Sequence, residues 1–367
     1  MSAFSPFDEA AMRRALELAE RGLYTTQPNP RVGAVLAHDH EIVGEGWHER
    51  AGQPHAEPNA IRAAGERARG ATAYVTLEPC SHHGRTPPCV DALLAAGVRR
   101  VVYAVGDPNP RVDGRGAKLL RKAGVKVERG LLESAAAALN AGFFLRMREG
   151  RPFVRLKSAA SLDARTALAN GASKWITSDE ARADVQHWRA QSGAVLTSAS
   201  TVLADDPRLD VRIESSNQPL RVVLDRQRKV RGKARILAAP GEVLLFAAAA
   251  GPKRRGAPPP ETLGRARVER VRTLRGHLDI RRVFSRLAEL EVNDVLVEAG
   301  PRLSGALLAA GLVDEWVLYI APKLLGADAR PLTSLTRLKK LSAAPRFEIV
   351  DSRAVGPDLR LRLRPKE

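Results

Sequence analysis

Short apolar runs alternate with helix-like stretches along nearly all of this 367-residue chain, and the alternation breaks near Gly150 and restarts at Arg151. Such alternation builds layered α/β domains, and the length exceeds what one core usually serves. Two domains are therefore expected, 1–150 and 151–367. The first begins with an amphipathic helix near Asp8–Arg21, and two strands around a turn at Asp39 follow in "RVGAVLAHDHEIVGEGW". Next come a helix over "PHAEPNAIRAAGERA", a buried strand "ATAYVTLEPC", and a helix in "PPCVDALLAAG" with proline at its start and Gly97 after its end. The strand "RRVVYAV", the loop "GDPNPRVDGRG", the helix "AKLLRKAG", the strand "VKVERG" and one closing helix "SAAAALNAGFFLRMREG" complete this half.

The second half restarts with a strand in "RPFVRLKSAASLD" and continues with strands "GAVLTS", "LRVVLD", "EVLLFAAA", "NDVLVEAG" and "DEWVLYIA". Thr177 with Glu180 reads as a capping box for the helix in "TSDEARADVQHWRAQSG". The Pro- and Gly-rich "GPKRRGAPPPETLG" reads as a mobile surface loop. No internal repeat is visible.

No apolar run approaches the roughly 20 residues of a membrane span, and the amphipathic start lacks a signal-peptide core. The expectation is a soluble, cytoplasmic protein with no membrane partner. In that compartment a structural disulfide is not expected, so two cysteines lean toward metal or catalysis. The net charge of +18 is uneven. Residues 1–150 hold 20 basic against 17 acidic side chains, and residues 151–367 hold 39 against 24. The excess in the second half suits a phosphorylated ligand or nucleic acid, although a solvated basic surface explains scattered arginines equally well.

Both cysteines lie in "TLEPCSHHGRTPPC", as Cys80 and Cys89. A catalytic zinc site needs three N/S ligands and an open position for water. His55, in "HAE" at a helix start, offers the third ligand, with Glu57 two residues on. The order H-x-E, then Pro-Cys, then a second Cys is the pattern of zinc nucleobase deaminases, but eight residues separate these cysteines where that pattern has two. Cys89 opens a helix, where backbone N–H groups favour a thiolate. Glu57 favours catalysis over a structural zinc site, because it can shuttle protons between water, ring nitrogen and departing amine. His82 and His83 sit between the cysteines, in a segment better suited to reach over a pocket than to ligate. His48 stays undecided.

With these residues in view, "QPNPRVGAV", "GEGWHERAGQPHAE", "ATAYVTLEPCSHHGRTPPC" and "GDPNPRVDGRG" resemble the deaminase half of the bifunctional riboflavin-biosynthesis deaminase–reductases. "KSAASLDARTA", "SKWITSDEARADVQHWRAQSGAVLTSASTVLADDPRLDVR" and "VEAGPRLSGALLAAGLVDEWVLYIAPKLLG" resemble their reductase half. The similarity is colinear from about residue 8 to 362, and it accounts for the long segment between the cysteines.

The resemblance implies a cytidine-deaminase-like αβα sandwich followed by a dihydrofolate-reductase-like α/β domain. It implies zinc-dependent hydrolysis of the C2 amino group of a diaminopyrimidinone bearing a 5-phosphoribosylamino group. NADPH-dependent reduction of the ribosyl group to ribityl follows. By the same resemblance His55, Cys80 and Cys89 hold one zinc per chain and Glu57 is the proton donor. Ala159, Trp175, Thr201 and Asp205 bind NADP, as does the segment Gly300, Pro301, Arg302, Leu303, Ser304, Gly305 and Ala306. Ser173, Arg189, Leu209, Arg212 and Glu298 bind substrate. The partners expected are a phosphorylated pyrimidine and further copies of the chain, as dimer or tetramer.

Physical chemistry supports parts of this independently. A strand, a Gly-containing turn and a helix N-terminus at Gly300 suit a phosphate. Arg189 and Arg212 can fork a phosphate, and Lys157, mid-strand among apolar residues, is a candidate polar member of the site. Two positions depart from the family pattern. Pro58-Asn59 replaces a Val-His pair, which the first helical turn tolerates. Ala164 stands where glycine is usual, at a cost of about 1 kcal/mol if that position needs φ > 0. Two other functions compete. A nucleic-acid-editing deaminase would use the basic second half, but an aromatic content of 4% leaves few stacking platforms. A non-catalytic zinc module would have no use for Glu57.

Overall fold

Along Gly33–His38, Val35 and Ala37 enter one apolar cluster while Ala34 and Leu36 enter another, because successive side chains of a strand point to opposite faces. That alternation places helices on both sides of the first sheet. The structure, a computed structural model, describes residues 4–82, 87–109, 112–214, 217–249, 261–335 and 338–366. It divides into two compact units, Met1–Arg151 and Pro152–Glu367.

The first unit contains α1 (Pro6–Glu20), β1 (Gly33–His38), β2 (Glu41–Trp47), α2 (Ala56–Ala64), β3 (Thr72–Leu77) and α3 (Cys89–Ala95). After them come β4 (Arg100–Val105), α4 (Arg115–Lys122), β5 (Lys126–Arg129), α5 (Glu133–Leu139) and α6 (Ala141–Glu149). The sheet order is β2-β1-β3-β4-β5, antiparallel at its β2–β1–β3 side and parallel from β3 to β5. Met12 and Leu18 of α1 pack with Phe143 and Phe144 of α6 on one face. Ala60 of α2, Leu93 of α3 and Leu120 of α4 pack on the other. Asp39 turns the β1–β2 hairpin at φ 47°.

The single closing helix expected over "SAAAALNAGFFLRMREG" is two helices. Asn140 breaks it, because its amide accepts from Arg31 N at 2.8 Å and donates to Arg31 O at 2.8 Å. That tertiary tie outcompetes helix continuation.

The second unit begins with β6 (Phe153–Ser161), β7 (Arg165–Ala167), α7 (Asp179–Gln191), β8 (Ala194–Ser198), α8 (Ala199–Asp205) and β9 (Leu220–Leu224). It continues with α9 (Arg235–Ala238), β10 (Val243–Ala248), β11 (Glu261–Leu263), β12 (Ala266–Val271), β13 (Thr273–Leu274) and β14 (His277–Leu278). It closes with α10 (Ile280–Glu289), β15 (Asp294–Glu298), α11 (Pro301–Ala309), β16 (Glu315–Ala321), β17 (Arg330–Pro331), β18 (Phe347–Val355) and β19 (Asp358–Pro365). Among the described residues one sheet has the order β11-β12-β10-β9-β8-β15-β6-β16-β19-β18. It is parallel from β12 to β16 and antiparallel at both edges. Small two-stranded pairings join β7 to β17 and β13 to β14. α10 and α11 cover one face, and α7 and α9 the other.

The capping box expected from Thr177 and Glu180 does not form. Ser178 is the N-cap of α7 and accepts from Ala181 N, while its own backbone N donates to Asp358 Oδ2 at 2.7 Å. A carboxylate from the distant β19 shifts the cap by one residue. Most of "GPKRRGAPPPETLG" lies outside the described residues, and its last part forms β11.

Candidate active sites

The zinc candidates converge because three chain segments end at one place. α2 starts tight against β2, since a Cβ at Gly46 would stand 2.5 Å from the Ala56 carbonyl oxygen. This seats His55, the N-cap of α2, whose extended backbone leaves its ring uninvolved in capping. Cys80 follows β3, and Cys89 is the first residue of α3. His55 Nδ1 lies 3.2 Å from Cys89 Sγ and 3.5 Å from Cys80 Sγ, and the sulfurs are 3.4 Å apart. Both thiols are free, since a disulfide would bring the sulfurs to about 2.05 Å. Atoms bound at roughly 2.0–2.3 Å to one tetrahedral ion stand roughly 3.3–3.8 Å apart, so this donor set fits zinc.

The two thiols are hydrogen-bonded to each other. The Cys89 S–H holds the Cys80 thiol down, against burial and helped by His55. The same bond and burial push Cys89 up. Glu57, fully buried in the first turn of α2, hydrogen-bonds with Cys89, and burial raises its carboxyl above the ordinary value. A buried carboxyl beside the ligand cluster is placed to carry a proton to and from a molecule bound there. Pro58 occupies the third position of α2, where no intrahelical N–H bond is lost.

Three neighbours complete the surroundings; the sequence left His48 undecided and did not single out Glu78 or Asp107. His48 packs edge-on against His55 at 5.3 Å, with one ring nitrogen on Pro54 O and the other on Asn29. Both of its ring nitrogens are occupied by these partners and it lies outside the metal-ligating cluster, so it orients its neighbour, while burial lowers its pKa. Glu78 accepts from Gly114 N and Ala117 N, which pins the loop before α4 beside the site. Burial raises Asp107 of that loop to about 7. "GDPNPRVDGRG" was a signal for this loop, but nothing in the residue types distinguished Asp107 from a turn former. His82 is not in the metal-ligating cluster, and its Nδ1 is buried without a partner among the described residues. His83 lies outside them.

In the second unit a cavity of about 1640 Å³ opens at the carboxyl ends of the parallel strands, the usual ligand position in such sheets. Ala159, Trp175, Thr201, Asp205, Gly300, Pro301, Arg302, Leu303 and Ala306 line it, as do Ser173, Arg189, Leu209, Arg212 and Glu298. Ser304 and Gly305 do not. Ser304 is buried with its hydroxyl on Ala299 O and Gly300 O, and a Cβ at Gly305 would stand 2.3 Å from Ser334 O. These two hold the turn rather than face the cavity. Nothing stands within 4 Å of a Cβ at Gly300, the N-cap of α11, so its backbone is open to a phosphate.

Glu298 and Arg189 form a two-pronged ion pair, Nε–Oε1 2.6 Å and Nη2–Oε2 3.0 Å, with both side chains nearly buried. Lys157 stands opposite Glu298 in the β6–β15 register. Burial raises the Glu298 pKa, but Arg189, Lys157 and Arg212 together outweigh it and leave the carboxyl below its ordinary value. Burial lowers Lys157, partly opposed by Glu298. Ala164, in the turn after β6, holds φ 57°, so the strain foreseen for that position is present. Leu209 is also left-handed, at φ 56°.

A zinc-type His/Cys/Cys centre on one α/β unit and a dinucleotide-sized cavity on the other define a metal-dependent deaminase joined to a reductase. Comparison with known proteins specifies the class. Residues 5–105 match the cytidine and deoxycytidylate deaminase zinc-binding region, and residues 152–361 match the RibD C-terminal domain. The riboflavin biosynthesis protein RibD of Escherichia coli is 54% identical over 374 residues, covering 97% of this chain and 99% of that protein. That of Haemophilus influenzae is 46% identical over the full length of both. The structure of Acinetobacter baumannii RibD superposes with a TM-score of 0.89 at 47% identity, covering 98% of this chain and 99% of that one. A Thermotoga maritima diaminohydroxyphosphoribosylaminopyrimidine deaminase/5-amino-6-(5-phosphoribosylamino)uracil reductase gives 0.86 at 35%, with 98% and 99% covered. The chain belongs to the RibD family of riboflavin biosynthesis proteins. It is a deaminase and a reductase, with zinc and NADPH as its cofactors. Among the described residues no helix is long and apolar enough to cross a membrane.

Proposed function

We propose that the first unit hydrolyses the C2 amino group of 2,5-diamino-6-(5-phosphoribosylamino)pyrimidin-4(3H)-one, releasing ammonia. The second unit then reduces the ribosyl group to ribityl, giving 5-amino-6-(5-phosphoribitylamino)uracil. The observation that carries this is the convergence of His55, Cys80 and Cys89 with the buried Glu57 carboxyl at one place.

His55, Cys80 and Cys89 would hold zinc, which supplies a water nucleophile at neutral pH. Glu57 would take a proton from the attacking water and pass protons to the ring nitrogen and the departing amine. NADPH supplies the hydride of the second step. Ala159, Trp175, Thr201, Asp205 and the Gly300–Ala306 segment would position it, with Ser304 and Gly305 acting through the turn they hold. Ser173, Arg189, Leu209, Arg212 and Glu298 would hold the substrate. The Arg189 fork fixes the Glu298 carboxylate so that it can order a bound pyrimidine or move a proton without rearranging.

The protein is proposed to work in the cytoplasm, where its two free thiols stay reduced. It is also proposed to act as a dimer or tetramer. β18 is an outermost strand with Ile349 exposed, a position that pairing with a second copy would cover. One incubation of the purified chain with the phosphoribosylamino pyrimidine, with and without NADPH, tests the function. Mass spectrometry should show the deaminated product alone without NADPH and the ribityl product with it. An unchanged substrate in both arms would overturn the reading.

A further inference from the structure

We propose that Glu78 is a positioning residue for deamination: it fastens the loop that carries Asp107 to the segment that carries Cys80, so that this side of the site stands in place before substrate arrives. The inference rests on the deamination proposed for the first unit. Glu78 directly follows β3, two residues before Cys80, and is 4% exposed. It lies outside the metal-ligating cluster. Its backbone N donates to the carbonyl of Val105, the last residue of β4, at 2.9 Å. Its carboxylate reaches the other end of the same connection, where Oε2 accepts from Gly114 N at 3.0 Å and Oε1 from Ala117 N at 3.2 Å. One residue thus holds the chain both where it leaves β4 and where it enters α4.

α4 depends on this carboxylate. Its N-cap is Gly114, which has no side chain to cap it, and its first turn contains no acid. The first N–H groups of a helix lack intrahelical partners and favour negative charge, so a carboxylate from the end of β3 completes α4 from outside. The fit is close. A Cβ at Gly116 would stand 2.1 Å from Pro79 O, so the first turn of α4 rests directly on the residue between Glu78 and Cys80. Short bonds pass the restraint on to Asp107. Arg115 N donates to Val112 O at 2.7 Å, Val112 N to Asn109 O at 2.8 Å, and Asn109 N to Asp107 Oδ1 at 2.8 Å. Val112 is buried and anchors the middle of this chain of bonds.

What the loop carries bears on the chemistry. Asp107 is buried, and it stands close enough to His55 and Cys80 for their charges to interact. β3 and β4 run parallel, and ligands of such sheets bind outside the carboxyl ends of the strands, where the Cys80 segment and this loop both emerge. A molecule bound at the ligand cluster therefore lies beside the loop. A loop in place only part of the time lowers apparent affinity by that fraction, while molecules that have bound react normally. A role confined to stability would instead leave KM unchanged well below the melting temperature.

Glu78→Gln in the full-length protein tests this, because the amide keeps the volume and one acceptor but sets its own N–H groups against one of the two backbone donors. KM for deamination of the phosphoribosylamino pyrimidine should rise by about tenfold, the size expected for loss of one charge-assisted hydrogen bond, with kcat changed by less than about twofold. Zinc content and reduction of pre-deaminated substrate should match wild type. Amide hydrogen exchange at Gly114 and Ala117 should quicken by about tenfold, a readout that needs no substrate. Unchanged KM, or unchanged exchange, would overturn the inference and leave the deaminase reading standing. Loss of zinc or unfolding of the first unit would do the same, since Glu78 would then support the whole unit rather than this loop. A wild-type protein that leaves the pyrimidine unchanged would overturn both.

Discussion

The zinc centre and the reductase cavity are built on opposite plans. The zinc centre is three ligands and one carboxyl within 35 residues of sequence, each at the start of a helix or after a strand. The cavity draws its lining from more than 170 residues of sequence, and its innermost charges are locked to one another rather than offered to a metal. A compact constellation should fail completely when one member is removed. A distributed one should lose stability and function together, in proportion to how buried the member is.

The largest effect is therefore expected at Cys89. Cys89→Ala should lower zinc from about one per chain to near none and abolish ammonia release, as read by metal analysis and an ammonia assay. His82→Ala, outside the ligand cluster, should keep its zinc. Undiminished zinc in Cys89→Ala would show that the ligand set is wrong.

Next in size is Glu57→Gln. The amide keeps the size and a hydrogen bond but cannot carry a proton, so deamination should fall by about 10²–10⁴-fold. Zinc content and reduction of pre-deaminated substrate should stay near wild type. If reduction fell in parallel, the two units would not carry separate sites, and the contrast between them would collapse.

Glu298→Gln probes the cavity. Removing one partner of a buried ion pair leaves Arg189 and Lys157 poorly compensated, at a cost of about 3 kcal/mol in the second unit, with reduction impaired and deamination intact. Its pH dependence has a definite sign. The folded pKa of Glu298 is depressed, so its stabilisation is complete above the ordinary glutamate value of about 4.3 and is lost as pH falls toward the depressed one. The stability gap between wild type and Glu298→Gln, from denaturant melts, should thus be constant between pH 6 and 7 and shrink in acid. A gap that widened below pH 4 would contradict the assignment.

The same contrast explains what could be read before the structure. His55, Glu57, Cys80 and Cys89 were legible because zinc chemistry needs rare residue types in a fixed order. The strands around them were legible because β3 and β4 are short apolar runs rich in β-branched and aromatic residues. The cavity was not legible from residue types. Leu209 and Ala159 carry no chemical signature. Family resemblance alone marks them. The local errors have tertiary causes. Arg31 breaks the α5–α6 helix through Asn140, and Asp358 moves the α7 cap to Ser178. Neither partner lies within 100 residues in sequence of the position it changes.

The smallest effects compare the two departures from the family pattern, and they should have opposite signs. Ala164 sits at φ 57° in a turn closed by its own N–H on Ser161 O. The preceding carboxylate, Asp163, accepts from Leu325 N and Gly326 N, so the turn is held from outside and cannot relax. Ala164→Gly should therefore stabilise the second unit by about 1 kcal/mol, raising its melting temperature by roughly 2–4 °C. Pro58 is the reverse case. It fills the third position of α2, where φ is already helical and no N–H is needed, so the ring costs nothing in the fold and restricts the unfolded chain. Pro58→Val should destabilise the first unit by about 0.5 kcal/mol while zinc content stays at one per chain. A gain in stability from Pro58→Val would mean that the ring strains α2, and that the zinc unit, like the cavity, tolerates a misfit next to its chemistry.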